Sequence, residues 1–267
     1  MTHVAFIGAG KMASAMVRGL LTRQLYPPAQ IGCTCGADPT GPALAADTGI
    51  TYEADPAKLL QPADIVVLAC KPQQLAGLDS RYIPLTNGKL VLSILAGTPV
   101  AKLAAKFPGA RNIVRAMPNT PGQIGAGITA WCASTAPNMT DRTAIEGILG
   151  SLGTVLELPE TQIDAVTAVS GSGPAYLFEF AAAFRAAAVA SGLPPLMAEK
   201  LALETIRGSA KLLEASGEDP EKLRDAVTSP GGTTEAALKV FQAANFRKIF
   251  ADAVIAAKKR SEELAKL

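Results

Sequence analysis

The sequence predicts a doubly wound α/β domain with a mostly parallel sheet, followed by an all-α second half. Three observations predict this. Apolar runs alternate with helix-like stretches through the first half, and a glycine-rich turn follows the first of those runs directly. Beyond Pro159 the strand-like runs stop, and the segments take on helical periodicity.

In chain order the strands read as HVAFIG, QIGCTC, DIVVLAC, KLVLSIL and NIVRAM, with GITAWCAS as an extension of the sheet. Parallel strands covered by helices on both faces read as continuous apolar runs, and these runs do. Stretches such as KMASAMVRGLLTR and TPVAKLAAKF supply the right-handed crossovers. The first domain is expected to span 1–158, ending around VLELPE, and the helical half 159–267. In that half, helices stop at Gly192 and Gly217, and Asp219 before Pro220 reads as an N-cap with proline at the first helical position. The helix PAYLFEFAAAFRAAAVASG is apolar nearly all round, with Phe178, Phe180 and Phe184 on different sides. Such a helix must be buried on every face, so self-association as a homodimer through this half is expected.

Composition narrows the function classes. Of 267 residues 49% are hydrophobic and 18% charged, and the net charge is +2 with Lys and Arg scattered. That argues against nucleic acid as a partner. No apolar run is long enough for a membrane span, and the chain enters a strand at once, so no membrane partner and a cytoplasmic location are expected. Cys33, Cys35, Cys70 and Cys132 match no zinc spacing and read as reduced core thiols, so no metal is expected. The only histidine is His3, at the start of the first strand. A mechanism that needs a histidine base or ligand is disfavoured.

The opening VAFIGAGKMASAM holds Gly8, Gly10 and Ala13 as GxGxxA, after a strand and at the start of a helix. In that context the pattern is a dinucleotide fingerprint: the glycines admit a pyrophosphate, whose charge sits at the helix N-terminus. The first domain is thus a Rossmann domain. A NAD site usually carries an acid about 20 residues later, at the end of the second strand. Here that position holds small residues, Cys35 and Gly36 among them, and Asp38 comes late. The lean is to NADP, with NAD also admitted, because no arginine follows to clamp a 2′-phosphate. Ligands of such sheets bind at the carboxyl ends of the strands. Three of those ends are unusual: LACKPQQ with Ala69, Lys71 and Pro72, SILAGTP with Ala96 and Gly97, and RAMPNTPG with Asn119. They read either as ribose and nicotinamide loops or as ordinary loops stiffened by proline.

A second cluster lies in AVTSPGGTTEAAL, where Ser229, Thr233 and Thr234 flank Gly231-Gly232 just before a helix that begins near Thr233. Exposed glycine N–H groups at a helix N-terminus favour an anion by roughly 0.3–1 kcal/mol, up to about 2 when partly buried. The loop reads as a carboxylate cradle. The alternative is an elaborate N-cap, although a cap needs one hydroxyl only. The segment AVSGSGPAY is open to two readings as well, helix-start chemistry or a lining of the pocket.

Taken together, FIGAGKMASAM, ACKPQ, SILAG, RAMPNTP, AVSGSGPAY and DAVTSPGGTTEAAL resemble the pyrroline-5-carboxylate reductase family in order and spacing, over essentially the whole chain. The resemblance implies a Rossmann domain, a helical dimerisation domain, and reduction of the ring imine of pyrroline-5-carboxylate to L-proline by NAD(P)H. It also implies dimers that assemble into rings. Carried over residue by residue, it implies cofactor contacts at Gly8, Gly10, Lys11, Met12, Cys35, Gly36, Asp55, Ala69, Lys71, Pro72, Ala96, Gly97 and Asn119. Substrate contacts fall at Ser229, Gly231, Gly232, Thr233 and Thr234, with the Thr234 hydroxyl on the ring nitrogen as the catalytic group. Two departures bear on the cofactor. Cys35-Gly36 stands where many bacterial members carry Asn-Arg, and Asp55 stands near an asparagine of some relatives; an aspartate there suits hydroxyls better than phosphate. Two rivals remain. A β-hydroxyacid dehydrogenase needs a catalytic lysine, for which Lys200 and Lys211 lack neighbouring glycine or asparagine signals. A non-enzymatic NADP-responsive protein has no use for the hydroxyl loop.

Overall fold

Alternation along single strands explains the apolar runs. In the computed structural model, which describes residues 2–266, the first strand β1 (Val4–Ile7) sends Val4 and Phe6 to one face and Ala5 and Ile7 to the other. Both faces are cores, so no position in the strand tolerates a polar residue. Each large side chain fully buried in this way contributes about 1.5–3 kcal/mol.

The order continues through α1 (Lys11–Thr22), β2 (Ile31–Thr34), α2 (Thr40–Thr48), β3 (Thr51–Tyr52), α3 (Pro56–Leu60), β4 (Ile65–Leu68), α4 (Tyr82–Leu85), β5 (Leu90–Ser93), α5 (Val100–Lys106), β6 (Asn112–Met117), β7 (Gly127–Ala133), α6 (Met139–Gly150), β8 (Gly153–Glu157) and α7 (Ile163–Val166). One eight-stranded sheet results, in the order β3-β2-β1-β4-β5-β6-β7-β8. All neighbours are parallel except β6 and β7, which are antiparallel. The order reverses direction at β1, which places a ligand crevice at the carboxyl ends of β1 and β4. GITAWCAS extends the sheet as expected. The short edge strand β3 and the half-exposed β8 were not anticipated: two residues carry no periodicity, and the alternating GTVLE reads like a domain end.

The helical half comprises α8 (Gly173–Ala190), α9 (Pro195–Ser216), α10 (Pro220–Ala226), α11 (Thr233–Ala243) and α12 (Phe246–Ala265). As expected, Asp219 caps α10, accepting the Glu221 N–H at 2.8 Å.

The chain forms two compact units. One unit runs to Ser172 and takes the chain back from Ala257; the other is Gly173–Ala256. The reason is a buried cation. The Arg115 side chain on β6 is 4% exposed and pairs with Glu160 at 3.1 Å and Asp164 at 3.3 Å. Glu160 also accepts the Val100 N–H at 2.7 Å, and Ser261 donates to Asp164 at 2.7 Å. A buried guanidinium left without partners costs several kcal/mol, so it holds the segments that carry them. Ile163, 1% exposed, completes the attachment.

Within Gly173–Ala256 the packing is thin. Helices α8 and α9 pack together, and Tyr176 meets Phe250 edge to face at 5.9 Å between ring centres. Among the described residues of this unit, only Ala198 and Ala202 are buried apolar side chains. Phe178, Phe180 and Phe184 are all exposed. The reading that α8 must be covered on every face therefore points outside the single chain. No described helix is long and apolar enough to cross a membrane.

Candidate active site

The residues expected to bind cofactor converge on one edge of the sheet. Gly8 and Gly10 follow β1, Cys35 and Gly36 follow β2, Asp55 follows β3, and Ala69, Lys71 and Pro72 follow β4. Ala96 and Gly97 follow β5, and Asn119 follows β6. All stand at the carboxyl ends of parallel strands.

At the fingerprint the two glycines serve different ends. Gly8 has φ +109°, and a Cβ there would lie 2.5 Å from the Ala69 carbonyl carbon and 2.6 Å from the Cys70 nitrogen. Glycine is obligatory for the fold at this point, and the contact locks the β1 turn onto the end of β4. Gly10 is the N-cap of α1 and has no side-chain cap; a Cβ there would meet nothing within 4 Å. No contact within the fold calls for a glycine at this position. The opening N–H groups of α1, from Lys11, Met12 and Ala13, have no intrahelical acceptors, and no acid stands in the first turn. The residues fit a dinucleotide pyrophosphate.

The remaining loops are partly self-satisfied. Cys35 Sγ accepts the Gly41 N–H at 3.3 Å and donates to the Asp38 carbonyl at 3.2 Å, so its thiol holds the turn together. Asp38 accepts both the N–H and the hydroxyl of Thr40, and these bonds hold its carboxyl below the usual range. The Lys71 backbone N–H is tied to Gln74 Oε1 at 2.8 Å, and the residue is exposed. Asn119 gives its carbonyl oxygen to the Ile128 N–H at 3.0 Å, bracing the start of β7. Asp55 is the N-cap of α3, accepting Ala57 N–H at 3.1 Å, and it also receives Arg81 at 3.3 Å. Neither role was legible beforehand. A Cβ on Gly171 would lie 2.5 Å from Met117 Cε, so the AVSGSG segment closes on the end of β6, two residues before Asn119. That segment forms a π-turn, Thr167–Gly171, a device common beside functional sites.

The four cysteines are free. Burial pushes the thiols of Cys33 and Cys132 up to about 11, so both are protonated and inert near neutrality. Among the described residues no group of His, Cys, Asp and Glu is arranged to hold a metal. A cleft of the α/β unit lined by Tyr26, Asp64, Arg111 and Asn138 lies at the opposite edge of the sheet. Its one cation, Arg111, is spent on Asp141 at 2.7 Å.

In the helical unit, α11 begins at Thr233 as expected, but the glycine donors are not free. Gly231 has φ +71°, a conformation that glycine adopts readily, and donates its N–H to Glu235 Oε2 at 2.8 Å. Gly232 donates to the Ser229 carbonyl at 3.0 Å, and a Cβ on it would collide with the Ser229 hydroxyl. The expected cradle of glycine N–H groups is thus corrected by two residues. The open donors are the N–H groups of Thr233 and Thr234, at the first two positions of α11. Glu235, missed in the sequence, stands at the third helical position, where a glutamate reaching back is the mark of a capping box. The hydroxyls of Ser229, Thr233 and Thr234 have no partner among the described residues, and Thr234 is half-buried. Three unengaged hydroxyls around a helix start exceed what capping requires.

Comparison with known proteins places the chain in a family. Residues 160–264 match the model for pyrroline-5-carboxylate reductase dimerisation, and residues 3–97 match that for NADP oxidoreductase, coenzyme F420-dependent. A pyrroline-5-carboxylate reductase of Synechocystis is 38% identical over 99% of this chain and 98% of its own. One from Pseudomonas aeruginosa is 40% identical over 98% and 97%. A solved pyrroline-5-carboxylate reductase from Coxiella burnetii superposes with TM-score 0.90 at 34% identity, covering 100% of this chain and 99% of that one. A Plasmodium falciparum pyrroline carboxylate reductase solved with NADP bound gives 0.89 at 30% identity, covering 99% and 98%. At these identities over nearly the whole length, the chain belongs to the pyrroline-5-carboxylate reductase family.

Proposed function

We propose that this protein reduces the ring C=N bond of 1-pyrroline-5-carboxylate to L-proline with NADPH, NADH also being admitted, as the last step of proline biosynthesis in the cytoplasm. The observation that carries the proposal is the half-buried Thr234 hydroxyl, unpartnered at a helix start with open N–H groups, in a chain of this family.

The start of α1 holds the pyrophosphate through the Lys11 and Met12 N–H groups, with Gly8 and Gly10 giving it room. Cys35, Gly36 and Asp55 flank the adenosine end. Ala69, Lys71 and Pro72, then Ala96, Gly97 and Asn119, line the ribose and nicotinamide. When bound, the reduced nicotinamide supplies the hydride. The substrate carboxylate rests on the Thr233 and Thr234 N–H groups with the Ser229 hydroxyl beside it, while Gly231 and Gly232 shape the loop. Charge at a partly buried helix start favours it by up to about 2 kcal/mol. The Thr234 hydroxyl holds the ring nitrogen. A cyclic imine protonates near neutral pH, so no strong protein acid is needed, and the protein contributes orientation above all. The absence of any histidine but His3 from the whole chain is in keeping with that chemistry.

Self-association through the helical half follows from the dimerisation match and the uncovered α8. A ring of such dimers is the finer reading, for sedimentation to test. The activity is tested by following nicotinamide absorbance in mixtures of protein, pyrroline-5-carboxylate and either cofactor, with proline identified as product. Oxidation without proline, or none by folded protein, overturns the proposal.

A further inference from the structure

We infer that Arg81 is the cation that receives the 2′-phosphate of NADPH, and that it does for this chain what an arginine after β2 would otherwise do. The inference rests on the dinucleotide reading of the β1–α1 turn and deepens it, by naming the residue that selects the cofactor.

A fingerprint-bound dinucleotide places its adenosine ribose at the carboxyl end of β2. That end is Thr34, followed by Cys35-Gly36-Ala37-Asp38, without a cation. The cation comes from two neighbouring segments instead. Strand β3 lies beside β2, with the Glu53 N–H on the Cys33 carbonyl at 3.0 Å, so the chain leaving β3 carries Asp55 past the end of β2. From the other side, Tyr82 is buried with its phenol by the Thr34 hydroxyl, which opposes the upward push of burial on its pKa. Arg81 is the residue before it. Its backbone is therefore anchored to the end of β2, while its side chain stays 60% exposed.

Two acids hold the guanidinium in place. Asp79 takes Nε at 3.0 Å and Nη2 at 2.8 Å, and Asp55 takes Nη1 at 3.3 Å. A guanidinium has five N–H donors. Those three bonds leave one hydrogen on each Nη, the pair that can grip two oxygens of a phosphate monoester. The arrangement also changes the meaning of Asp55. Alone, its carboxylate would bond a ribose hydroxyl and repel a phosphate; with its charge met by Arg81 and one oxygen capping Ala57, that repulsion is offset. Asp38 is occupied within its own loop by Thr40. Glu53 accepts the Asp55 N–H at 3.0 Å and helps fix the segment.

The test titrates the full-length protein, and its Arg81→Ala and Arg81→Lys variants, with adenosine 2′,5′-bisphosphate and with 5′-AMP by calorimetry. The expected result is that the wild type prefers the bisphosphate. Arg81→Ala loses about 10- to 100-fold of that preference, the worth of a charge-assisted bond pair. Arg81→Lys keeps the charge without the fork and falls between the two. In turnover, the same factor appears in KM for NADPH, shifting the NADPH-to-NADH ratio of kcat/KM towards NADH. If Arg81→Ala keeps the wild-type preference, or if the wild type binds both probes equally, the inference is overturned while imine reduction stands. If the wild type binds neither probe and oxidises neither cofactor, the dinucleotide reading fails, and the inference fails with it.

Discussion

Along β1, four consecutive residues are at most 3% exposed, whereas α8 has no buried residue and its Phe178 is 63% exposed. The α/β unit is complete: two cores, a satisfied buried arginine, and a cofactor edge whose loops mostly bond to themselves. The helical unit carries the hydroxyl loop at the start of α11 and, among the described residues, buries only the apolar side chains of Ala198 and Ala202. Marginal domains need every large apolar contact. The α/β unit can thus form within one chain, while burial of the helical unit depends on self-association.

The largest effect expected is on that dependence. Phe178→Asp places a carboxylate in the surface that must be covered, and an uncompensated buried charge costs about 3–5 kcal/mol per copy. Sedimentation should show monomers, with the helical transition lost and the α/β transition kept in a melt. A variant that remains a dimer at micromolar concentration would remove α8 from the interface. Next is Thr234→Ala, which keeps the dimer and the fold. Loss of a well-placed donor costs about 10²–10³ in rate, so kcat should drop by that factor in steady-state assays; near-normal turnover would remove Thr234 from the mechanism.

The comparison is sharpened inside the finished unit by its two glycines. Gly10→Ala points its methyl into open space, so thermal stability should hold while cofactor affinity falls about tenfold or more through the blocked approach. Gly8→Ala meets the Ala69 and Cys70 backbone at positive φ and should destabilise the fold itself. Equal loss of stability in both variants would mean that Gly10, too, serves the fold. The smallest effect is a pH dependence. The Cys33 and Cys132 thiols sit at about 11 in the folded chain against an ordinary 9.0. Their raised values mean that the unfolded chain ionises first. The stability they contribute is complete below pH 9 and is lost as pH rises towards 11. The melting midpoint should decline over that window, and less steeply in Cys33→Ala; an unchanged slope would exclude the thiol.

What the sequence disclosed followed from periodicity and from glycine. Continuous apolar runs reported strands buried on both faces, GxGxxA reported the pyrophosphate turn, and the all-round apolar α8 reported a missing partner. What stayed hidden depends on distant residues meeting. Arg115 reads as one polar residue in a strand until Glu160, Asp164 and Ser261 arrive from positions 45 to 146 residues further on. Arg81 reads as a loop charge until Asp55 comes beside it. In the hydroxyl loop the residue types were legible, but which donors were free was not, because Glu235 and the Ser229 carbonyl claim the glycine N–H groups only once the turn has closed.

The central claim is that the cofactor edge and the hydroxyl loop serve one hydride transfer to a ring imine. The most direct test supplies NADPH deuterated at the transferable position, with pyrroline-5-carboxylate and the dimeric protein, and examines the proline by mass spectrometry and NMR. The account predicts deuterium on the ring carbon that was double-bonded to nitrogen, with formation slowed by the factor given above in Thr234→Ala. Proline without label at that carbon, or cofactor oxidised at the same rate without the imine, would contradict it.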